Sequence, residues 1–326
     1  MRAPRTYLWK SLSLILSVFL LLSGCGGKGP ESSLKVAQQG LLSAGLSADA
    51  GYALIGSLQH GGSLWGVGKN ERLYNWNHEQ GEFSTIRAVA MADDAKLAIT
   101  AVDADLAVWN VLDGRSLNFW RAPDKISSIA IGPNNKYALL GMRSNQAVYF
   151  DLEKGQARYE FPHKAEVTSV DISGDSRWAI TGSDDQSARL WRLDTGALMH
   201  TFSHSNQVKT VALSNDGALA FSSAQREDAV IWDTISGDAK AKLSYRYENF
   251  TSARFSEDGR RLLLGTFRGD IYLVDAVNGN EIGYWSAKAR RIWGPASSGA
   301  VLDMAFAANG EVIAITSDGM LERFKL

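Results

Sequence analysis

The sequence feature that most constrains the fold is an internal repeat of about 41 residues. Seven copies of a short polar turn recur along the chain, each placed between two short apolar runs. The turns lie at 47–51, 92–96, 132–136, 173–177, 214–217, 256–259 and 308–310. Several of them contain Asn-Gly or Asp-Gly, which supply the positive φ angles of a hairpin turn. Each copy therefore predicts two antiparallel strands joined by a tight turn.

Each copy continues into a third predicted strand, in which one position is usually aromatic. We assign to this third-strand aromatic position Trp76, Trp109, Phe150, Trp191, Trp232, Val274 and Phe324. Successive members are 33, 41, 41, 41, 42 and 50 residues apart. A period near 41 with about four strands per unit is typical of a β-propeller blade. The sequence thus predicts an all-β, seven-bladed propeller over residues 33–326, in which these aromatic residues pack one blade against the next.

The fourth copy, at 163–191, shows the pattern most completely and resembles the WD40 repeat family. In that family a His before the first strand, a Ser or Thr on the second, an Asp in the following turn and a Trp on the third form a hydrogen-bonded tetrad. The matching residues here are His163, Thr181, Asp185 and Trp191. The resemblance covers residues 33–326, and it implies that the tetrads are structural because each buried donor meets an acceptor.

The fifth copy departs from the family pattern at one position. It has His204, Ser222 and Trp232, but Arg226 stands where the family has its Asp. The Trp-Asp dipeptide of the family survives only as Trp232-Asp233. The repeat length and strand order therefore match the family, whereas individual motif residues do not match it in every copy.

Ring closure is predicted at the N-terminus of the propeller. The last copy stops at Leu326, directly after its third strand. A strand-like segment at 33–38 precedes the first copy. We expect this segment to pair with the last blade, because such pairing removes the open sheet edge at the point where the ring closes.

The first residues are predicted to be a leader, 1–24, that is removed from the mature chain. Basic residues at its start precede the apolar run Ser11–Leu22, which has the length of a secretory signal. The run ends in Leu22-Ser23-Gly24-Cys25, which resembles the lipobox of bacterial lipoproteins. The resemblance implies acylation of Cys25, the only cysteine of the chain, with 25–32 as a flexible tether. The alternative is an ordinary secretory signal with a chance cysteine.

The resemblance also implies which membrane the lipoprotein is delivered to. Gly26, rather than Asp, follows the cysteine. In enterobacterial lipoproteins this favours the outer membrane over the inner membrane. Several acyl chains bury enough CH₂ groups for stable anchoring, at about 0.8 kcal/mol each.

Composition and motifs exclude several other functions. The 34 basic and 35 acidic residues give a net charge of −1, which argues against nucleic-acid binding. A single cysteine excludes a disulfide framework and a multi-cysteine metal site. His200 and His204 are four residues apart, but on a strand that spacing separates them by about 13 Å, which disfavours a metal pair. Nucleophile elbows, phosphate-binding glycine loops and calcium-loop spacings are also missing from the sequence. We therefore predict no catalytic residue, no metal and no cofactor.

One loop is longer than the repeat requires. The surplus lies at 286–299, between the sixth and seventh copies, and contains Lys288, Arg290, Arg291 and Trp293. Because Trp and Arg are enriched at binding hot spots, these four residues are the predicted partner-binding loop. The alternative is that Trp293 folds back onto a blade edge and the charges are solvated.

The prediction from sequence is thus an outer-membrane lipoprotein that faces the periplasm and carries a monomeric propeller. Its expected function is that of a protein-interaction scaffold for envelope proteins that the sequence does not identify. One alternative is an envelope-biogenesis component analogous to the propeller lipoprotein of the barrel assembly machine. Another is a quinone-binding propeller, which would need polar and cationic residues lining its channel. Both functional assignments rest on analogy of fold.

Overall fold

The structure is a computed structural model that describes residues 27–58, 60–78, 84–290 and 297–326. These residues form 28 β-strands joined by turns and loops, with no helix among them. In the same ranges no helix is therefore long or apolar enough to cross a membrane. The strands assemble into seven antiparallel sheets of four strands each. The predicted all-β fold with seven blades is thereby confirmed.

Each blade runs from an inner strand at the centre of the ring to an outer strand at its edge. Blade 1 contains β2 (Leu41–Leu46), β3 (Tyr52–Ser57), β4 (Gly62–Gly66) and β5 (Glu71–Trp76). Blade 2 contains β6 (Ala88–Met91), β7 (Leu97–Val102), β8 (Asp105–Asn110) and β9 (Ser116–Arg121). Blade 3 contains β10 (Ile126–Ile131), β11 (Tyr137–Met142), β12 (Gln146–Asp151) and β13 (Gln156–Pro162).

The second half of the ring repeats this order. Blade 4 contains β14 (Val167–Ile172), β15 (Trp178–Ser183), β16 (Ser187–Arg192) and β17 (Ala197–Ser203). Blade 5 contains β18 (Val208–Leu213), β19 (Leu219–Ala224), β20 (Ala229–Asp233) and β21 (Ala239–Leu243). Blade 6 contains β22 (Phe250–Phe255), β23 (Arg261–Thr266), β24 (Asp270–Asp275) and β25 (Glu281–Ser286). Blade 7 contains β26 (Val301–Phe306), β27 (Glu311–Thr316), β28 (Met320–Lys325) and, as its outer strand, β1 (Ser32–Lys35).

The repeated turn between the first two strands is built by its own side chains. In blade 4 the Ser173 hydroxyl donates to Asp175 Oδ1 at 2.6 Å, and the same oxygen accepts the Arg177 amide at 3.0 Å. Between them Ser176 has a φ of 58°. The same Ser–Asp hydrogen bond recurs in the turns of blades 1, 5 and 6. These short-range bonds explain why the turn is the clearest repeat in the sequence.

The third-strand aromatic residues lie between blades, as predicted. Trp191 is buried and stacks on Phe161 of blade 3 with ring centroids 4.7 Å apart. Trp232 stacks in the same way on Phe202 of blade 4, at 4.4 Å. Each buried cluster mixes residues of two neighbouring blades, so the core is a ring of inter-blade interfaces.

The assignment in blade 1 was wrong. Trp76 ends the fourth strand, β5, whereas Trp65 on β4 pairs with Ala53 as Trp109 pairs with Ala98 in blade 2. Trp65 lies 44 residues before Trp109, so the correction also removes the short spacing of 33. Trp76 instead stacks on Trp109 at 5.1 Å. The third-strand position could not be assigned from sequence here, because two tryptophans 11 residues apart both suit an inter-blade position.

The ring closes as predicted, through an N-terminal strand. β1 pairs antiparallel with β28, in the register Ser32 opposite Arg323 and Lys35 opposite Met320. We call this junction the seam. β1 begins at Ser32, so the segment assigned to the tether already enters the sheet at its end. Pairing across the seam satisfies the backbone groups that β28 would otherwise expose.

Candidate functional site

The predicted tetrad of blade 4 is assembled around the Thr181 hydroxyl. The Trp191 indole donates to Thr181 Oγ1 at 2.9 Å, and His163 Nε2 lies 2.7 Å from the same oxygen. His163 Nδ1 lies 3.0 Å from Asp185 Oδ2. Burial lowers the pKa of His163, and Asp185 opposes that shift only in part. The structure therefore brings all four residues into one buried hydrogen-bonded chain.

The electrostatics of this tetrad depend on Asp185. Burial raises the pKa of its carboxyl, but hydrogen bonds from Ser187, the Lys164 amide and His163 outweigh burial and lower the pKa to about 2. Arg189 adds an ion pair at 3.3 Å. Asp185 is therefore ionised, and its hydrogen bonds hold the neighbouring strands together. This is the role of a structural tetrad.

Blade 5 contains a variant of the tetrad with a different acid. His204 Nε2 and the Trp232 indole each lie 2.8 Å from the Ser222 hydroxyl. Glu227, and not the residue at Arg226, approaches His204, with Oε2 3.6 Å from Nδ1. The two repeats have equal length, with 28 residues from the histidine to the tryptophan in each. The left-handed residue of the turn is Gln186 in blade 4 but Arg226, one position earlier in the repeat, in blade 5. The turn is thus built differently and presents the acid at 227, whereas counting from blade 4 pointed to Arg226.

Blade 2 contains a third copy that sequence analysis missed. His78 Nε2 lies 2.9 Å from Thr100 Oγ1, which accepts the Trp109 indole at 2.8 Å. Burial lowers the pKa of His78. The sequence does contain a histidine before the first strand of this blade, as the family pattern requires. It lies ten residues before that strand, within the long connection at 77–87, and was therefore not recognised.

The remaining histidines do not form a metal site in the described part of the chain. His200 Nε2 bonds the Ile235 carbonyl at 3.2 Å, whereas His204 belongs to its tetrad. Within residues 27–58, 60–78, 84–290 and 297–326, no three His, Cys, Asp or Glu side chains are grouped as metal ligands.

The predicted partner-binding loop is only partly described. Arg291 and Trp293 lie outside the described residues, as does Cys25. Lys288 is exposed, and its amide donates to Glu322 Oε2 at 3.1 Å. Arg290 points into the seam instead of into solvent, with Nη1 2.8 Å from Asp318 and Nη2 3.0 Å from Glu322. Its charge is thus already neutralised within the chain.

A channel runs through the centre of the ring, with a volume of about 1300 Å³. The inner strands of all seven blades line it, together with the turns that follow those strands. We call the face that carries these turns the lower face, and the face that carries the loops between blades the upper face. Seven carboxylates and three arginines line the channel: Asp49, Asp93, Asp94, Asp171, Glu257, Asp258, Asp303, Arg87, Arg254 and Arg261. The channel is therefore acidic.

Arg254 ties three parts of the channel wall together. Its Nη2 lies 3.2 Å from Asp303 Oδ2 of blade 7 and 3.3 Å from the Leu46 carbonyl of blade 1. Nη1 lies 3.8 Å from Asp93 of blade 2. Burial raises the pKa of Asp171, on the wall of blade 4, to about 7, and Asp93 adds to this rise. One guanidinium thus bridges blade 6 to blades 7, 1 and 2.

The upper face of blade 6 carries an exposed aromatic pair. Tyr247, in the loop between β21 and β22, is 85% exposed, and Phe267, in the turn between β23 and β24, is 66% exposed. The Phe267 amide donates to the Asn249 carbonyl at 2.9 Å, so the loop and the turn are in contact. Arg246 and Arg268 stand beside the two rings and are exposed. We call Arg246, Tyr247, Phe267 and Arg268 the blade 6 patch.

Comparison with known proteins bears on the repeats. The family model described as WD domain, G-beta repeat matches residues 155–192. That segment covers β13 of blade 3 and the first three strands of blade 4, with the complete tetrad. In a comparison with curated proteins, none matches the chain. The match and the seven-bladed ring together support a WD40-type propeller, a fold commonly used as a protein-interaction scaffold.

Proposed function

We propose that this chain is an outer-membrane lipoprotein whose propeller is a protein-interaction scaffold facing the periplasm. The lipobox-like residues 22–25 and Gly26 support the anchor and its destination. The closed ring supports the scaffold, because a rigid propeller presents its faces without an ordering cost on binding. Partner binding is then confined to a surface by acylation of Cys25.

The packing of Gly27 and Lys28 is consistent with a short anchor. Lys28 pairs with Trp285 of blade 6, and the Ser286 amide donates to the Lys28 carbonyl at 3.2 Å. A Cβ at Gly27 would approach the Trp285 carbonyl carbon to 2.6 Å, so this contact requires glycine. Two residues span at most about 7 Å, so an acylated Cys25 would hold the propeller close to the membrane surface.

The acidic channel is the observation that carries the scaffold proposal. Seven carboxylates face three arginines, so acidic side chains outnumber basic ones by four. The net negative charge at neutral pH is smaller than four, because the pKa of Asp171 is raised to about 7 and burial also raises the pKa of Asp303. Asp93 and Glu257 stand at its lower mouth, in turns of blades 2 and 6. A complementary partner is a basic segment of an envelope protein, which this field would attract and orient.

The anchor and the scaffold are tested in separate experiments. For the anchor, Cys25→Ser should abolish incorporation of a palmitate analogue and move the protein out of the outer-membrane fraction. Unchanged labelling and fractionation would refute the anchor. Folding of the variant is checked independently by its thermal unfolding.

For the scaffold, crosslinking in intact cells followed by mass spectrometry identifies captured proteins. Asp93→Lys with Glu257→Lys should remove the captured partner, because the charge reversal repels a basic segment. Asp113→Lys with Glu160→Lys is the matched control, since it changes the net charge equally on exposed sites outside the channel. Equal capture by both double variants would exclude the channel mouth as the binding site.

The loop at 286–299 is the second surface for that experiment. Arg291→Ala with Trp293→Ala should leave folding intact and weaken capture if the loop contacts the partner. Full capture by this variant excludes the loop as the binding site.

A further inference from the structure

The blade 6 patch is an exposed aromatic and cationic surface that the scaffold proposal does not use. Two rings project from the upper face, and an arginine adjoins each ring in sequence. Among the described residues, neither Arg246 nor Arg268 has a carboxylate partner. Two exposed aromatic rings, each next to an arginine without an ion-pair partner among the residues described, give this surface both the apolar and the cationic groups that an amphipathic contact requires.

The patch lies close to the point where the described chain begins. The Gly27 amide lies against the Tyr284 hydroxyl, which donates to Asp270 Oδ1 at 2.9 Å. Asp270 follows Arg268 by two residues, and it pairs with Ser286 across the sheet. The chain therefore enters the propeller at the edge of the blade that bears the patch.

The basic side chains at the patch outnumber the carboxylates that are nearest to them in sequence, with Arg246, Arg268 and Lys288 against Glu248 and Asp270. The Asp270 oxygen that bonds Tyr284 also accepts the Ser286 hydroxyl at 2.7 Å, so it is engaged inside blade 6. Glu248 is half-buried and acts on Tyr272, where it contributes to a raised pKa. Lys288, exposed on the next loop, adds a third cation to the two arginines.

We propose that the blade 6 patch rests on the phospholipid surface to which the chain is anchored, with Tyr247 and Phe267 in the headgroup region and Arg246 and Arg268 on anionic headgroups. The inference rests on the anchor proposed above, since an acylated Cys25 would place this edge at the membrane. Aromatic rings favour the interface between water and lipid. Basic residues near an anionic surface are attracted to it, and the attraction adds up over several residues.

This contact defines an orientation for the propeller. The upper face of blade 6 faces the bilayer, and the acidic channel mouth on the lower face points away from it. An acidic mouth facing the anionic surface would be repelled, so the two charge distributions favour the same orientation. The scaffold surface is then open to a partner in the aqueous compartment.

The test measures vesicle binding without the anchor. The protein is residues 25–326 carrying Cys25→Ser, which retains all 28 strands and therefore the closed ring. Flotation with vesicles of phosphatidylethanolamine and phosphatidylglycerol should show binding that weakens with added salt and is lost on pure phosphatidylcholine. Hydrogen exchange in the presence of the anionic vesicles should slow at 245–249 and 266–269, and not in the lower-face turns.

Two double variants address the side chains. Tyr247→Ser with Phe267→Ser, and Arg246→Glu with Arg268→Glu, should each lower the partition coefficient about tenfold or more. The matched controls are Ile235→Ser with Val277→Ser and Arg115→Glu with Lys154→Glu, which alter equally exposed residue types in turns between third and fourth strands. All variants should unfold at the wild-type temperature, because the substituted side chains are exposed.

Three results would overturn the inference. Wild-type vesicle binding by both patch variants would do so, as would equal losses in the control variants. Loss of crosslinked partner with full vesicle binding would assign the patch to a protein instead. None of these results affects the anchor, which is judged by palmitate labelling of the full chain.

Discussion

Replacing Arg290 by methionine should destabilise the propeller by opening the seam. Arg290 joins two carboxylates of blade 7, with Asp318 at 2.8 Å and Glu322 at 3.0 Å. The Glu322 side chain is 1% exposed and also accepts the Ser33 hydroxyl of β1 at 3.1 Å. Arg290→Met keeps much of the side-chain volume and leaves Glu322 as a buried charge without its cation.

The magnitude follows from burial. Removing one partner of a fully buried ion pair costs about 3–5 kcal/mol. The Arg290 side chain is 24% exposed, so water screens part of the interaction. We therefore expect a loss of about 2–3 kcal/mol in the free energy of unfolding. At about 2–4 °C per kcal/mol, the melting temperature should fall by about 4–12 °C.

Thermal and urea unfolding of three variants tests this reasoning. Lys288→Met is the matched control, because it removes the same charge from the same loop but its exposed side chain makes no ion pair in the described structure. Adding Glu322→Gln to Arg290→Met should recover part of the loss, since it removes the more deeply buried of the two charges that Arg290 neutralises and leaves only Asp318, which is 13% exposed, without its cation. Equal melting temperatures for Arg290→Met and Lys288→Met would refute the argument.

The other predictions concern the tetrad, the channel and the closing strand. Thr181→Val deprives His163 and Trp191 of their shared oxygen, so it should cost about 2–3 kcal/mol in urea unfolding, while Thr181→Ser should cost far less. The pKa of Asp171 is raised to about 7, so the folded state retains a proton that the unfolded state loses near pH 4. Stability should therefore fall as the pH rises from about 4 to about 7, and Asp171→Asn should flatten this part of the thermal-unfolding profile; an identical slope would contradict the assignment. Deleting 27–35 exposes the edge of β28, which should lower the melting temperature and produce oligomers in size-exclusion chromatography.

The predictions from sequence were accurate where local chemistry specifies the structure. The blade 4 turn is built from Ser173 and Asp175, two residues apart, so its repeat was visible without any knowledge of packing. The third-strand position of Trp191 followed from strand alternation and the period. The pairing of β1 with β28 could also be inferred, because the last copy lacked one strand.

Errors arose where a local pattern admitted two solutions. Trp65 and Trp76 both suit an inter-blade interface, and only strand register distinguishes the third strand from the fourth. In blade 5 the repeat is as long as in blade 4, but the left-handed turn residue is Arg226, one position earlier than Gln186 in blade 4, and the acidic partner of His204 is Glu227. A family spacing does not specify which turn residue adopts a positive φ, so counting positions could not place this acid.

By itself, the sequence determined the number of blades, the turn chemistry and the sealing of the ring, because each depends on residues within one repeat or on counting repeats. Only the tertiary structure determined which polar and charged side chains contact one another. Ser33 and Glu322 are 289 residues apart in sequence but share a hydrogen bond, and Arg254 reaches Leu46 across 208 residues. Only ring closure brings these groups together, and burial at the seam turned Arg290 from a predicted contact residue into an internal counterion for Glu322.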